Sequence, residues 1–152
     1  MDKRAITAGA IGGGVAIAIM ELLSARTMTP LATIPFATSI VLVMGSPQVA
    51  PAQPRALVGG HLISALVGVV VATFAGPDPW AAAVAVGLAI AAMQVADAFH
   101  PPAGINPLLI VLQGFSWSYI LIPVMCGALL LLGFAYLWNN FVRGEAWPSR
   151  WL

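Results

Sequence analysis

The 152 residues carry 61% hydrophobic and 7% charged side chains and a formal net charge of +1, whereas a soluble domain has about 45–50% apolar and roughly 25% charged residues. So few ionic groups cannot clothe a water-facing surface, which excludes a soluble fold, and without clustered Lys and Arg no nucleic-acid partner is expected. The lone Cys126, set in an apolar run, excludes a disulfide framework and zinc-type ligand spacing, and no metal or cofactor is implied.

Gly, Pro and charge divide the chain into six apolar segments: Ile6–Leu23, Leu31–Met44, Leu57–Ala75, Trp80–Phe99, Ala103–Gln113 and Tyr119–Trp138. No small-residue cleavage site follows Leu23, so the first segment is expected to be retained rather than removed as a signal peptide. Gly9 and Gly13 within it are spaced for close helix packing, and Glu21 and Arg26 flank its end as interfacial charges. Pro35, Thr38 and Ser39 open the short second segment, and Ser46, Gln48, Gln53, Arg55 and His61 gather before and at the start of the third. Small residues recur every four positions at Gly60, Ser64, Gly68 and Ala72, and again at Ala83, Gly87 and Ala91; both rows read as packing faces.

A second polar group, Gln94, Asp97, His100 and Asn106, surrounds Pro101 and Pro102. If the fourth helix runs on to His100, Asp97 and His100 share a face and interact. The two prolines then break it, and the chain restarts after Gly104 as a short helix carrying Asn106 and Pro107. The free N–H groups and positive dipole end at such a restart favour an anion, and the same holds where Pro35 opens the second segment. Trp80, Trp117, Tyr119, Trp138 and Trp147 are expected at the bilayer boundaries, with Pro148 and Trp151 in a short interfacial tail.

Four segments are long enough to span a core of about 30 Å, and the second and fifth are too short. The order long, short, long therefore occurs twice, in halves of about residues 5–76 and 80–140. The expected fold is an all-α polytopic bundle of six helices in two three-helix repeats, with four spans and two re-entrant short helices as the alternative. Six crossings place Lys3, Arg4, Arg55, Arg143 and Arg150 on one side and Arg26 on the other, with both termini cytoplasmic.

Short, Gly/Pro-interrupted segments in matching halves are the signature of a repeat-built transporter with its site near the midplane. Polar side chains at that depth cost roughly 2.5–3.5 kcal/mol for a charged one, so each needs a use or a partner. The candidate set for a small inorganic anion is Thr38, Ser39, Arg55, His61, Gln94, Asp97, His100 and Asn106. His100 could carry a co-transported proton, with Asp97 holding its tautomer. No HExxH pair exists and no Ser or Cys has a histidine near it in sequence, so an enzyme is not expected. The alternative function is a non-catalytic structural or regulatory membrane subunit, binding through its small-residue faces and the loop from Ser46 to Arg55.

Phe99–Pro107, FHPPAGINP, together with Ser46–His61, SPQVAPAQPRALVGGH, resembles the HPP family of integral membrane proteins. His100, Pro101 and Pro102 match the motif that names the family; Gln53-Pro54-Arg55, Gly59-Gly60-His61 and Gly104 accompany it. The resemblance covers nearly the whole chain and implies one membrane domain over residues 1–152. That domain is usually described as four-spanning, which conflicts with six segments unless hydropathy overlooks the short pair. The resemblance also implies transport, with nitrite the substrate associated with plant and cyanobacterial relatives. Some relatives carry CBS domains after the membrane part, and none is expected here. The expected setting is the inner membrane of a bacterium, as an oligomer that buries the glycine-rich faces.

Overall fold

The structure, a computed structural model, describes residues 3–29, 31 and 34–151. Among these residues it is helical and without strands: α1 (Lys3–Thr27), α2 (Ile34–Gly45), α3 (Gly60–Ala75), α4 (Pro79–Val95), α5 (Ile105–Gln113) and α6 (Cys126–Leu137). A π turn at Arg55–Gly59 leads into α3, and the apolar stretch Ile120–Arg143 contains α6, with a break at the extended Ile122 before Pro123 and a π turn at Trp138–Arg143 after it. Lys3–Thr27, Arg55–Ala75 and Ile120–Arg143 are long and apolar enough to cross a membrane. With apolar side chains such as Phe74, Trp80, Val84 and Phe141 facing outward, the chain is a multi-pass helical membrane bundle.

The short elements are short indeed. At 12 and 9 residues, α2 and α5 reach only ~18 and ~14 Å, about half a hydrocarbon core. The second segment's expected start falls partly on residues 32 and 33, which lie outside the described residues; the helix itself begins at Ile34.

The fourth segment differs from expectation. It was expected to run to Phe99, yet α4 stops at Val95, leaving 17 residues and ~25 Å. Asp97 adopts φ 49°, and the Ala98 N–H closes back on the Met93 carbonyl at 2.8 Å. This is the 6→1 bond that ends helices at a left-handed residue, a position Asp tolerates better than most. At its other end α4 is capped by Asp78, whose side chain accepts from the Ala81 N–H at 2.8 Å, with Pro79 in the first turn.

Breaks recur at corresponding places. Met28 after α1 and Asp97 after α4 are the described non-glycine residues with positive φ. Gly76 ends α3 and Gly144 ends the last helix, both at positive φ. In the packing, α3 lies on α4 and α5, while α6 lies on α1 and α2. One core joins Met20, Phe36, Ile40, Val43, Leu131 and Trp147; the other joins Val69, Ile110 and Val124, with Ala82, Ala85 and Val111 beside it.

Small residues set the approach of α3 to α5: a Cβ on Gly68 would stand 2.7 Å from Pro107 Cα. The row expected on α4 faces the other way. Ala82, Ala85, Ala89 and Met93 are buried, whereas Ala83, Gly87 and Ala91 are exposed, because the helix turns its alanine-rich side to α3.

The ionic residues mark two ends. Lys3 and Arg4 open α1, and Arg4 shares a groove with Arg143, which donates to the Met44 carbonyl (3.0 Å) and pairs with Glu145 (2.8 Å). Arg55 donates to the Ala96 carbonyl (2.8 Å) and Arg150 to Asp97 (2.7 Å), so this end also holds the loop after α2 and the C-terminal tail. Arg26 lies at the far end of α1. Two aromatic assignments are corrected. Trp147 is 2% exposed and its indole N–H donates to the Pro47 carbonyl at 3.0 Å, so it anchors the tail in the core rather than at an interface. Tyr119 is likewise buried, stacked on Phe115.

Candidate functional site

Four elements bring polar side chains to one buried centre. Ser39 comes from the first turns of α2, His61 and Ser64 from the start of α3, His100 from the loop after α4, and Asn106 from the first turn of α5. All five are fully buried. The two half-length helices thus begin close to the same place, with Pro35 and Pro107 in their first turns. Ser39 Oγ lies 2.9 Å from His61 Nε2, 2.8 Å from His100 Nε2 and 2.8 Å from the Pro35 carbonyl. Asn106 Nδ2 lies 3.0 Å from His61 Nδ1 and 2.9 Å from Ser64 Oγ.

The partners fix the proton positions. Ser64 donates to the His61 carbonyl at 3.1 Å, so its oxygen receives a hydrogen bond from Asn106, and the Asn106 atom there is the NH2 group. That amide also donates to His61 Nδ1, which leaves the His61 proton on Nε2, donated to Ser39 Oγ. His100 Nδ1 lies 2.6 Å from the Pro51 carbonyl, which only accepts, so His100 carries its proton there and Nε2 is open to the Ser39 hydroxyl. The result is a directed chain: Asn106 to His61 to Ser39 to His100 to the Pro51 carbonyl. Its one fork is Ser39, whose single proton has two acceptors, His100 Nε2 and the Pro35 carbonyl.

Packing holds the chain in place. Phe36 stacks on the His61 ring with centroids 4.7 Å apart, and the two imidazoles lie 5.1 Å apart. Gly60 admits the loop: a Cβ there would meet His100 Cβ at 2.6 Å and the Ala98 carbonyl oxygen at 2.9 Å. The π turn and the Gly59–Gly60 pair therefore serve the approach of the His100 loop to α3, and π turns of this kind gather at functional sites. Pro101 and Pro102 open a 3-10 turn over Pro101–Gly104 that carries the chain into α5.

Of the residues expected at the site, Ser39, His61, His100 and Asn106 come together and the others do not. Asp97 is not the partner of His100: as the left-handed stop of α4 it points outward and pairs with Arg150, and the Pro51 carbonyl orients the ring in its place. Arg55, Asp97, Gln53, Pro51, Phe99 and Arg150 line a cleft of about 310 Å³. Pro51 lines this cleft and turns its carbonyl to the His100 ring. Gln94 is exposed on the last turn of α4. Thr38 faces an apolar groove with Leu42, Pro101, Pro102 and Ile105, its hydroxyl donating to the Pro35 carbonyl at 2.9 Å. Gln53 and Pro54 shape the loop: the Gln53 amide donates to the Pro47 carbonyl (2.8 Å) and accepts from the Ser149 N–H (2.9 Å).

Sequence reasoning missed Ser64, Pro51 and Phe36. Ser64 stands three residues after His61, hence on its face of α3, and was readable only as packing. The Pro51 carbonyl is backbone and carries no signal in the sequence.

A bundle of half-length and full-length apolar helices around a buried polar centre defines a multi-pass integral membrane protein. Residues 1–148 match the family described as HPP, transmembrane region, and the chain belongs to that family. It is similar to a transmembrane protein of Dictyostelium discoideum, 36% identical over 149 residues, which cover 90% of this chain and 48% of that protein. A second Dictyostelium discoideum transmembrane protein is 39% identical over 127 residues, 76% of this chain and 44% of the relative. The chain thus spans about half the length of these curated relatives. No solved structure matches it.

Proposed function

We propose that this protein moves a small inorganic anion across the membrane, with nitrite the leading substrate from the family resemblance. The observation that carries the reading is the meeting of Ser39, His61, His100 and Asn106 where both half-length helices begin. Hydroxyl, imidazole and amide donors at two helix N-termini suit an anion shed of its water. Arg55 and Arg150 at the cleft give the approach a cationic rim, with Asp97 between them. The fully buried centre corresponds to a sealed form, so transport requires it to open in turn to each side. The recurrence of breaks supports two duplicated halves of three helices, and the cationic end supports cytoplasmic termini.

The alternative, a structural or regulatory subunit, draws on the exposed Ala83, Gly87 and Ala91 face, which fits close packing with another helix. Polar groups gathered in one interior centre favour transport, since a docking subunit has no use for them there. Uptake of nitrite into proteoliposomes tests the proposal. Flux above that of protein-free vesicles, saturating with concentration and lost in His61→Ala, is expected; equal flux with and without protein would overturn it.

A further inference from the structure

Each internal member of the buried chain, His61, Ser39 and His100, both gives and receives a hydrogen bond, and reversal remakes the bonds between these three while giving up the His100 bond to the Pro51 carbonyl and the Asn106 bond to Ser64. The partners of the two imidazoles are hydroxyl, amide and backbone carbonyl atoms. Charged groups near the centre turn elsewhere: Arg55 to the Ala96 carbonyl, Asp97 and Arg150 to each other. No ionic group among the described residues holds the chain in one polarity; its resting direction is set by the Pro51 carbonyl, which only accepts.

We infer that His61, Ser39 and His100 form a path for one proton through the sealed centre, taken up at His61 Nδ1 and released from His100 Nδ1 to the cleft behind Pro51. The inference rests on the transport reading and names its coupling ion and route. Uptake requires Asn106 to turn its amide, presenting Oδ1 to the new His61 Nδ1–H; that oxygen has no hydrogen-bond partner in the present orientation. His61 then passes its Nε2 proton to Ser39 Oγ as Ser39 passes its own to His100 Nε2, and when the Pro51 carbonyl draws back and admits water from the cleft, His100 gives that water its Nδ1 proton. One proton has gone in and one has come out, with only N–H and O–H bonds exchanged.

The chain is now reversed: His100 Nε2–H donates to Ser39, which donates to His61 Nε2. It cannot pass a second proton the same way until both rings regain their first tautomers. Exchange with water does this when the centre opens, so one proton moves per opening. Ser39 is the gate, because turning its hydroxyl to the Pro35 carbonyl breaks the path.

The test uses the full chain in proteoliposomes with a pH dye in the lumen, under an imposed nitrite gradient and, separately, under a potassium-valinomycin potential without nitrite. Protein-free vesicles correct for nitrous acid crossing bare lipid. The expected result is lumenal acidification in fixed ratio to nitrite uptake. Ser39→Ala is expected to lower proton movement by roughly a hundredfold, the lower range of what a positioned proton-transfer group contributes. His100→Gln, which can hydrogen-bond at both ends but cannot relay, should do the same, and Ser39→Thr should restore it; the three variants together separate loss of the relay from loss of fold. Nitrite uptake with no accompanying protons leaves the transport reading standing and overturns the relay. Potential-driven proton flux that Ser39→Ala abolishes, with no nitrite uptake, upholds the relay and overturns the anion reading. Proton flux unchanged in both Ser39→Ala and His100→Gln, or no proton movement in either arm, overturns the relay.

Discussion

At the scale of single residues, the centre depends on two kinds of fit. Gly60 is a steric requirement: Gly60→Ala drives a methyl into His100 Cβ and the Ala98 carbonyl, and overpacking of this kind costs about 1–3 kcal/mol. Gly87, with open space around its Cβ position, is the control; Gly87→Ala should be neutral or gain up to about 1 kcal/mol from helix propensity. Thermal unfolding in detergent should therefore separate the two by a clear drop for Gly60→Ala alone. Asn106 is a polar requirement. Asn106→Leu leaves His61 Nδ1 and the Ser64 hydroxyl without their donor, and a stranded buried polar group costs about 1–3 kcal/mol. Its unfolding temperature is expected to fall, whereas the loss of an exposed group such as Gln94 in Gln94→Leu should leave it near wild type.

At the scale of elements, the tail after α6 offers a comparison of magnitudes. It is held by an ion pair, Arg150 to Asp97, whose side chains are 63% and 73% exposed, and by the buried Trp147. An exposed pair is worth about 0–1 kcal/mol, whereas truncating a buried tryptophan to alanine costs about 3–5 kcal/mol. Packing decides the position of the tail, not charge. Limited proteolysis should show this: Trp147→Ala is expected to expose the tail to cleavage, and Arg150→Ala to leave its cleavage rate nearly unchanged and insensitive to salt. The helix stops are elements of the same design. Asp97 holds a left-handed conformation that a β-branched residue resists, so Asp97→Val should loosen the loop carrying His100, while Asp97→Gly should not.

At the scale of the whole molecule, the clustering of Arg4, Arg55, Arg143 and Arg150 at one end and Arg26 at the other is the basis of the proposed orientation. With Cys126 replaced by alanine, single cysteines at Met28 and Trp151, both exposed, should react with a membrane-impermeant maleimide from opposite sides of the membrane. The Trp151 site is expected on the cytoplasmic side. Labelling of both from one side would overturn the six-crossing arrangement. Because α3 packs on α4 and α5 while α6 packs on α1 and α2, residues 5–76 and 80–140 are each expected to be unstable when made alone.

Membrane embedding, helix number and the alternation of long and short elements were legible in the sequence, because composition and run length respond directly to the apolar solvent and its thickness. His61, His100, Ser39 and Asn106 were legible for the same reason: polar groups are rare enough at this depth to stand out. The end of α4 was not, since hydropathy runs on through Phe99 while a single backbone torsion at Asp97 ends the helix. Nor was the partner of His100. Spacing along a helix pointed to Asp97, whereas the carbonyl of Pro51, 49 residues away, accepts the hydrogen bond from its Nδ1–H. Which residues must be buried is fixed locally by what each side chain would lose to lipid or water. Which of them meet is fixed by how α2, α3, α5 and the loops pack, and only the tertiary structure decides that.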